Sequence, residues 1–150
     1  MKDKDYTPYL VLAPSDLRRL QWRKGWALST IGLILYCILR IFGQKPKDYM
    51  GICPYFEIGH GWGGFEMGWF FVCSKSAGES TKMHEVGHGI QNAAVGGLTM
   101  VGYCIGSAAR YWWRRIFGEK TDYDSWFFEG DATRLGTLYV TTIREQGEKG

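Results

Sequence analysis

Apolar and polar positions divide the middle of the chain into two β-prone runs. MGICPYFEIG occupies 50–59 and GFEMGWFFVC occupies 64–73, and both are rich in aromatic residues. The glycine-containing HGWG lies between them, which predicts a β-hairpin closed by a glycine-rich turn. A hairpin or small antiparallel sheet is therefore expected at the centre of the molecule.

Helix-forming patterns follow the two runs. SAGE at 76–79 fits a capping box, so a helix is predicted from there to about residue 94, just before a pair of glycines. A second helix is predicted over 98–116, and a third begins near residue 122 or 124 and carries SWFFEGDATRLG. The expected fold class is α+β, with this sheet followed by three helices.

An uncharged segment precedes the sheet region. GWALSTIGLILYCIL at 25–39 predicts an N-terminal apolar helix, although its length falls short of the ~20 residues that span a bilayer. A second uncharged stretch, at 93–109, ends in RYWWRR, where aromatic residues meet arginines as they do at membrane interfaces. Membrane contact is therefore an alternative to burial of both helices in a compact core.

Length, charge and cysteine content narrow the class of protein. The 150 residues fit one domain, with a basic and apolar helical segment at 1–49 and a core at 50–140. A net charge of +3, with the basic residues at the edges of apolar segments, predicts no nucleic-acid partner. The polar first 24 residues predict no cleavable signal peptide and hence a cytoplasmic or membrane-associated protein. The four cysteines form no C-x-x-C pair, which favours buried thiols.

The letters HEVGH at 84–88 carry the candidate chemistry. On a helix, His84 and His88 lie one turn apart and project from the same face, so both imidazoles can bind one ion. Glu85 lies about 100° around the helix, within reach of a water on that ion but outside the ligand positions. Two imidazoles and a nearby carboxylate are what zinc-dependent hydrolysis requires, because the ion lowers the pKa of its water and the carboxylate takes the proton.

A hydrolytic zinc site needs a third protein ligand, and the sequence offers three candidates. His60 lies in the glycine-rich turn, whereas Glu129 and Asp131 lie on the third predicted helix. Glu129 shares a face with the small residues Ala132 and Gly136, which would permit close approach to the histidine helix. Asp131 points about 200° away from Glu129, so only one of the two carboxylates can face the ion.

HEVGH followed by FEGDATRLG resembles the gluzincin, or thermolysin-like, branch of the zincin metallopeptidases. The chain is most similar to a group of short bacterial proteins that combine a WGG hairpin, an H-E-x-G-H-x-x-Q helix and an E-x-x-A-x-x-x-G helix. The resemblance covers about 55–136 and implies His84, His88 and Glu129 as zinc ligands, with Glu85 as general base. Thr133 stands where the family pattern has Asp or Asn, so the hydrogen bond that orients a histidine ligand must come from Thr133, Asp131 or elsewhere.

The resemblance implies a minimal zincin-like fold and a peptide or protein substrate. The strand GGFEMGWFF would pair with extended peptide or serve only in packing, and His60 and Tyr103 are candidates for stabilising the oxyanion, with no spacing that selects either. Gln91, one turn beyond His88, is a candidate lining residue. Two other classes remain open: a catalytically weak structural or regulatory zinc protein, and a small membrane-associated protein in which the motif is incidental. The sequence does not determine the oligomeric state.

Overall fold

The computed structural model describes residues 4–118 and 127–148, and within these ranges the chain forms six helices and four strands. The helices are α1 (Thr7–Leu10), α2 (Pro14–Arg23), α3 (Trp26–Ile41), α4 (Glu79–Val95), α5 (Gly97–Phe117) and α6 (Phe127–Glu148). The strands are β1 (Lys47–Tyr49), β2 (Cys53–Glu57), β3 (Gly64–Glu66) and β4 (Phe71–Cys73). The predicted α+β class is confirmed.

The sheet is mixed, with strand order β1-β2-β4-β3. β2 pairs with β4 in parallel, whereas β1 and β3 are antiparallel to their neighbours. The predicted hairpin between 50–59 and 64–73 is therefore wrong, because the hairpin lies within the second run, between β3 and β4. Its turn contains Gly68 at φ +93°, a left-handed conformation that glycine adopts without strain, and the Met67 N–H donates to the Phe70 carbonyl at 2.8 Å. β3 consequently forms one edge of the sheet.

Both faces of the sheet are buried. One face joins α4 and α6 in the main core, which includes Tyr55, Phe71, Cys73, Ile90, Leu135 and Tyr139. The opposite face, with the adjoining turn, packs against α3 through Phe56, Phe70, Val72, Leu35 and Tyr36. The small sheet thus lies between α3 on one side and α4 with α6 on the other.

Glycines set the distance between α4 and α6. A Cβ built on Gly136 would lie 1.7 Å from the Met83 carbonyl oxygen, and one built on Gly87 would lie 1.9 Å from the Ala132 carbonyl oxygen. The two backbones therefore touch at positions where any side chain would overlap the opposite helix. The predicted close approach of the Ala132 and Gly136 face to the histidine helix is confirmed.

The boundaries of α4 and α5 agree with the predictions, but the start of α4 does not use the predicted capping box. Gly78 is the N-cap of α4, and no side chain caps the helix. The Ser76 hydroxyl accepts instead from the Gly61 N–H at 3.1 Å, and Glu79 accepts from the Tyr49 hydroxyl at 2.7 Å. α6 extends further than expected, to Glu148, while its predicted start near 122 or 124 lies outside the described residues.

None of the described helices has by itself the length and apolar composition needed to cross a membrane. Helices α2 and α3 meet those criteria only when taken together, and they are bent by 103° relative to each other.

Candidate metal centre

His84, His88 and Glu129 converge on one point between α4 and α6. Each residue offers one ligand atom, and these atoms all lie within 4.8 Å of one another. The two histidine Nε2 atoms are 3.1 Å apart, and Glu129 Oε2 lies 3.1 Å from the first and 3.2 Å from the second. The close contact of α4 with α6 produces this cluster, because it brings a carboxylate from a distant part of the chain to the histidine face.

Gln91 determines which nitrogen of His88 carries the proton. The Gln91 amide nitrogen donates to the Phe128 carbonyl at 2.8 Å, and a carbonyl can only accept, so the amide oxygen faces His88. That oxygen lies 2.8 Å from His88 Nδ1, which must therefore carry a hydrogen and donate it. His88 Nε2 is left with its lone pair directed at the centre of the cluster.

Thr133 has the same effect on His84. Its hydroxyl lies 2.8 Å from His84 Nδ1 and 3.3 Å from the backbone carbonyl of Glu129. When the hydroxyl donates to that carbonyl it accepts from Nδ1, and the Nε2 lone pair of His84 is then also directed inward. An accepting group behind each imidazole is the arrangement that fixes the orientation and tautomer of metal-binding histidines.

Three electron-pair donors face one another at the centre, and a proton does not satisfy them all. One proton bridges two of the three atoms, and protons on both Nε2 atoms would repel each other at 3.1 Å. A divalent cation would interact with all three. Donor atoms bound to a tetrahedral zinc at ~2.0–2.1 Å are separated by about 3.3 Å, close to the separations in this cluster. The residues present therefore fit a zinc ion.

The Glu129 carboxylate is fully buried, with a side-chain exposure of 0%. Burial alone would raise its pKa, but the contacts with His84 and His88 and the hydrogen bond from Ser107 hold the pKa well below the usual range. The Ser107 hydroxyl donates to Oε1 at 2.7 Å, which leaves Oε2 for the histidines. Glu129 is consequently an ionised group held in the interior by cationic or polar partners.

Glu85 lies beneath strand β3. A Cβ built on Gly64 would be 2.8 Å from Glu85 Oε1, so the missing side chain makes room for the carboxyl group. Glu85 is only 3% exposed, and its Oε2 has no hydrogen-bond partner among the described residues. Burial raises the pKa of Glu85 to about 8, with the charge of His84 opposing the shift and that of Glu129 adding to it. Buried Glu66 is a neighbour, and burial together with the charge of Glu85 raises its pKa well above the usual value.

The other predicted site residues lie outside the cluster. His60 is exposed in the loop between β2 and β3, and Asp131 forms an ion pair with Arg134 at 3.3 Å. Among the described residues, the group that could hold a metal contains neither of them. The ring of Tyr103 stacks on Phe128 with centroids 4.2 Å apart, and Phe128 in turn stacks on His88. Phe128 therefore packs beside a candidate ligand, and Tyr103 contacts Phe128.

Two residues that hydrogen-bond to the candidate ligands were not assigned that role from the sequence. Gln91 was predicted only as a lining residue, but it is fully buried and orients His88, and its spacing of three from His88 was the available signal. Ser107 gave no signal, because a single serine in an apolar helix has no pattern that relates it to a glutamate 22 residues later.

No family model, curated protein or solved structure matches this chain.

Proposed function

We propose that this chain is a zinc-dependent metallopeptidase that hydrolyses peptide bonds with a metal-activated water. His84, His88 and Glu129 would hold the zinc, and Glu85 would act as general base. The main support for this proposal is that two Nε2 lone pairs and one buried carboxylate oxygen converge at separations of 3.1–3.2 Å. A small sheet, an HExxH helix and a downstream glutamate helix are also what a minimal zincin-like fold contains.

The donor set favours zinc over harder cations. Two imidazole nitrogens and one carboxylate suit zinc, whereas calcium and magnesium prefer sites made of oxygen ligands. When bound, zinc supplies a Lewis acid that polarises a substrate carbonyl and lowers the pKa of water toward ~7. The side chains of His84 and His88 are 17% and 12% exposed, which gives solvent a route to the histidine side of the cluster.

Glu85 is the residue for proton transfer. It follows His84 directly on α4 and is held by burial beneath Gly64, and it takes no part in the ligand cluster. In the proposed reaction its carboxylate accepts a proton from the attacking water and passes it to the leaving amine. A positioned acid or base of this kind contributes typically ~10²–10⁴-fold to a rate.

The edge strand supports a peptide as the substrate class. β3 pairs with β4 on one side, and the strand order leaves its other side at the sheet edge. An extended chain added there would form backbone hydrogen bonds that ignore side-chain identity. Gly64 of β3 lies against Glu85, so a peptide on this edge would pass beside the proposed base.

The test uses Glu85→Gln with Glu145→Gln as its matched control, since Glu145 is an exposed residue of α6. Wild type should carry about one zinc per chain by elemental analysis and cleave a mixture of quenched fluorescent peptides, with cleavage lost in chelator. Glu85→Gln should keep its zinc and lose cleavage by about 10²-fold or more, because an amide does not accept the proton. Equal cleavage by Glu85→Gln and the control would remove Glu85 from the mechanism.

A structural zinc centre is the second candidate. It is favoured by the 3% exposure of Glu85, which keeps this carboxyl largely away from solvent. Wild-type protein that binds one zinc, loses stability in chelator and cleaves no peptide in the same assay would establish this candidate instead.

A further inference from the structure

Helices α3 and α5 expose large apolar side chains. On α3 the exposed residues form the α3 face, which comprises Trp26, Ile31, Leu33, Ile34, Ile38 and Ile41. On α5 they form the α5 face, which comprises Leu98, Ile105, Trp112, Trp113, Ile116 and Phe117. Several are more than half exposed, including Ile41 at 80% and Ile116 at 69%. The two helices contact each other, and soluble proteins rarely leave a large apolar patch in water unless another surface covers it.

The two helices belong to segments that carry charge of one sign only. Residues 17–47 and 86–118 together contain ten of the eighteen Lys and Arg residues and none of the fifteen Asp and Glu residues. The rest of the chain is correspondingly acidic. The apolar faces are thus bordered by cations, with Arg40 in the last turn of α3 and with Arg114 and Arg115 in the last turn of α5.

We propose that the α3 and α5 faces dock on the surface of an anionic phospholipid bilayer. The apolar side chains would enter the boundary between headgroups and acyl chains, and the bordering arginines would pair with lipid phosphates. Helices with Lys or Arg on the polar side and Trp, Phe or Leu on the other lie in this interface. Trp112 and Trp113 beside the arginines match the enrichment of tryptophan at headgroup level.

The charge distribution favours lipid over a second copy of the chain. In a two-fold symmetric dimer the same patch faces itself, so arginines of one copy would approach arginines of the other. Neither segment contains an acidic residue that could pair with them. An anionic bilayer supplies the missing negative charge across the whole face.

The docking would place the candidate metal centre near the bilayer without using its residues. The opposite side of α5 faces the cluster, where Ser107 donates to Glu129 at 2.7 Å, while the α5 face points outward. Lipid binding is therefore expected to persist in Glu85→Gln and in zinc-free protein that keeps its fold. A failure of the lipid-docking proposal can therefore be distinguished from a failure of the proposed peptidase function.

The experiment is co-sedimentation of the purified full chain with large vesicles. Vesicles of phosphatidylcholine with about one third phosphatidylglycerol should bind the protein, and vesicles of phosphatidylcholine alone should bind it at least fivefold less. Raising the salt from about 0.1 M to about 1 M shortens the screening length from ~10 Å to ~3 Å and should weaken the binding.

Matched variants locate the contact. Ile116→Ser on α5 should lower vesicle affinity about tenfold, whereas Leu138→Ser, an exposed apolar residue of α6, should not. Arg115→Gln should lower it about fivefold, whereas Arg134→Gln on α6 should leave it unchanged. Thermal melts of all four variants verify that the fold is retained.

Three results would overturn the proposal. The first is that the wild type does not bind the anionic vesicles. The second is that vesicle affinity falls equally in the α5 variant and in the α6 variant of each matched pair. The third is that the protein binds no vesicles but dimerises without lipid, and that Ile116→Ser abolishes the dimer. The last result would identify the faces as an interface between two copies.

Discussion

The glycine contact between α4 and α6 gives the sharpest test of how the fold forms the site. In Gly136→Ala two effects oppose each other. Alanine is the better helix former by ~1 kcal/mol. Its Cβ, however, would lie 1.7 Å from the Met83 carbonyl oxygen, so the helices would have to separate by more than about 1 Å to reach ordinary contact. The obstructing atom is backbone and does not rotate away, so the full cost of overpacking, ~1–3 kcal/mol, applies.

The net expectation is destabilisation by up to about 2 kcal/mol, together with loss of metal affinity. Each kcal/mol corresponds to ~2–4 °C in melting temperature for a chain of this size. Glu129 lies two turns from Gly136 on the same helix, so a displaced α6 moves the carboxylate away from the histidines. Metal sites tolerate about 0.2 Å of error in ligand distance, and zinc affinity should therefore fall at least tenfold.

Gly102→Ala is the matched control. Gly102 lies within α5, and a Cβ built there meets nothing within 4 Å, so only the propensity effect applies and stability should rise by about 0.5–1 kcal/mol. Thermal melts with and without chelator, and zinc competition titration, would be compared for both variants. If Gly136→Ala were as stable as Gly102→Ala and bound zinc like wild type, the close contact would not position the third ligand.

Three further predictions concern the ligands and the electrostatics. His84→Ala should lose most bound zinc and melt at lower temperature, because a bound ion stabilises the state that binds it; unchanged zinc content would contradict the ligand assignment. Thr133→Val should weaken zinc ~10–100-fold by removing the acceptor for His84 Nδ1, while Asp131→Asn should have almost no effect, and equal effects would refute the role of Thr133. The hydrogen bond from Lys47 lowers the pKa of Glu57 below its ordinary value of 4.5, so the carboxylate stabilises the fold above that pH and the effect is lost on acidification. Metal-free Glu57→Gln should therefore melt below metal-free wild type at pH 7, and the gap should narrow as the pH falls below 4.5; a gap that stays constant in acid would contradict this linkage.

The features predictable from sequence are those set by local periodicity. The spacing of four between His84 and His88 determines a shared helix face, whatever the rest of the chain does. The end of α4 and the start of α5 followed from the glycine pair between them, whereas the capping box from which the start of α4 was predicted is not formed. The small residues at Ala132 and Gly136 correctly indicated the face that meets α4.

Strand pairing was not predictable, because it depends on contacts distant in sequence. HGWG and the 67–70 turn both contain the glycine that a hairpin needs, and nothing local decides which of them closes it. The hairpin closed by the 67–70 turn places β4 between β2 and β3, where all three residues of β4 are buried. This burial depends on the whole sheet and not on either turn. The role of Ser107 depends in the same way on the packing of α5, which no local pattern reveals.

A metal bound at this site would couple to the packing of α6 on α4. His84 and His88 come from α4 and Glu129 from α6, so a bound cation would join the two helices as well as complete the cluster. The free energy of zinc binding would then include free energy of packing α6 on α4. Variants of the packing and variants of the ligands should consequently affect zinc affinity non-additively, because each removes part of the same interaction.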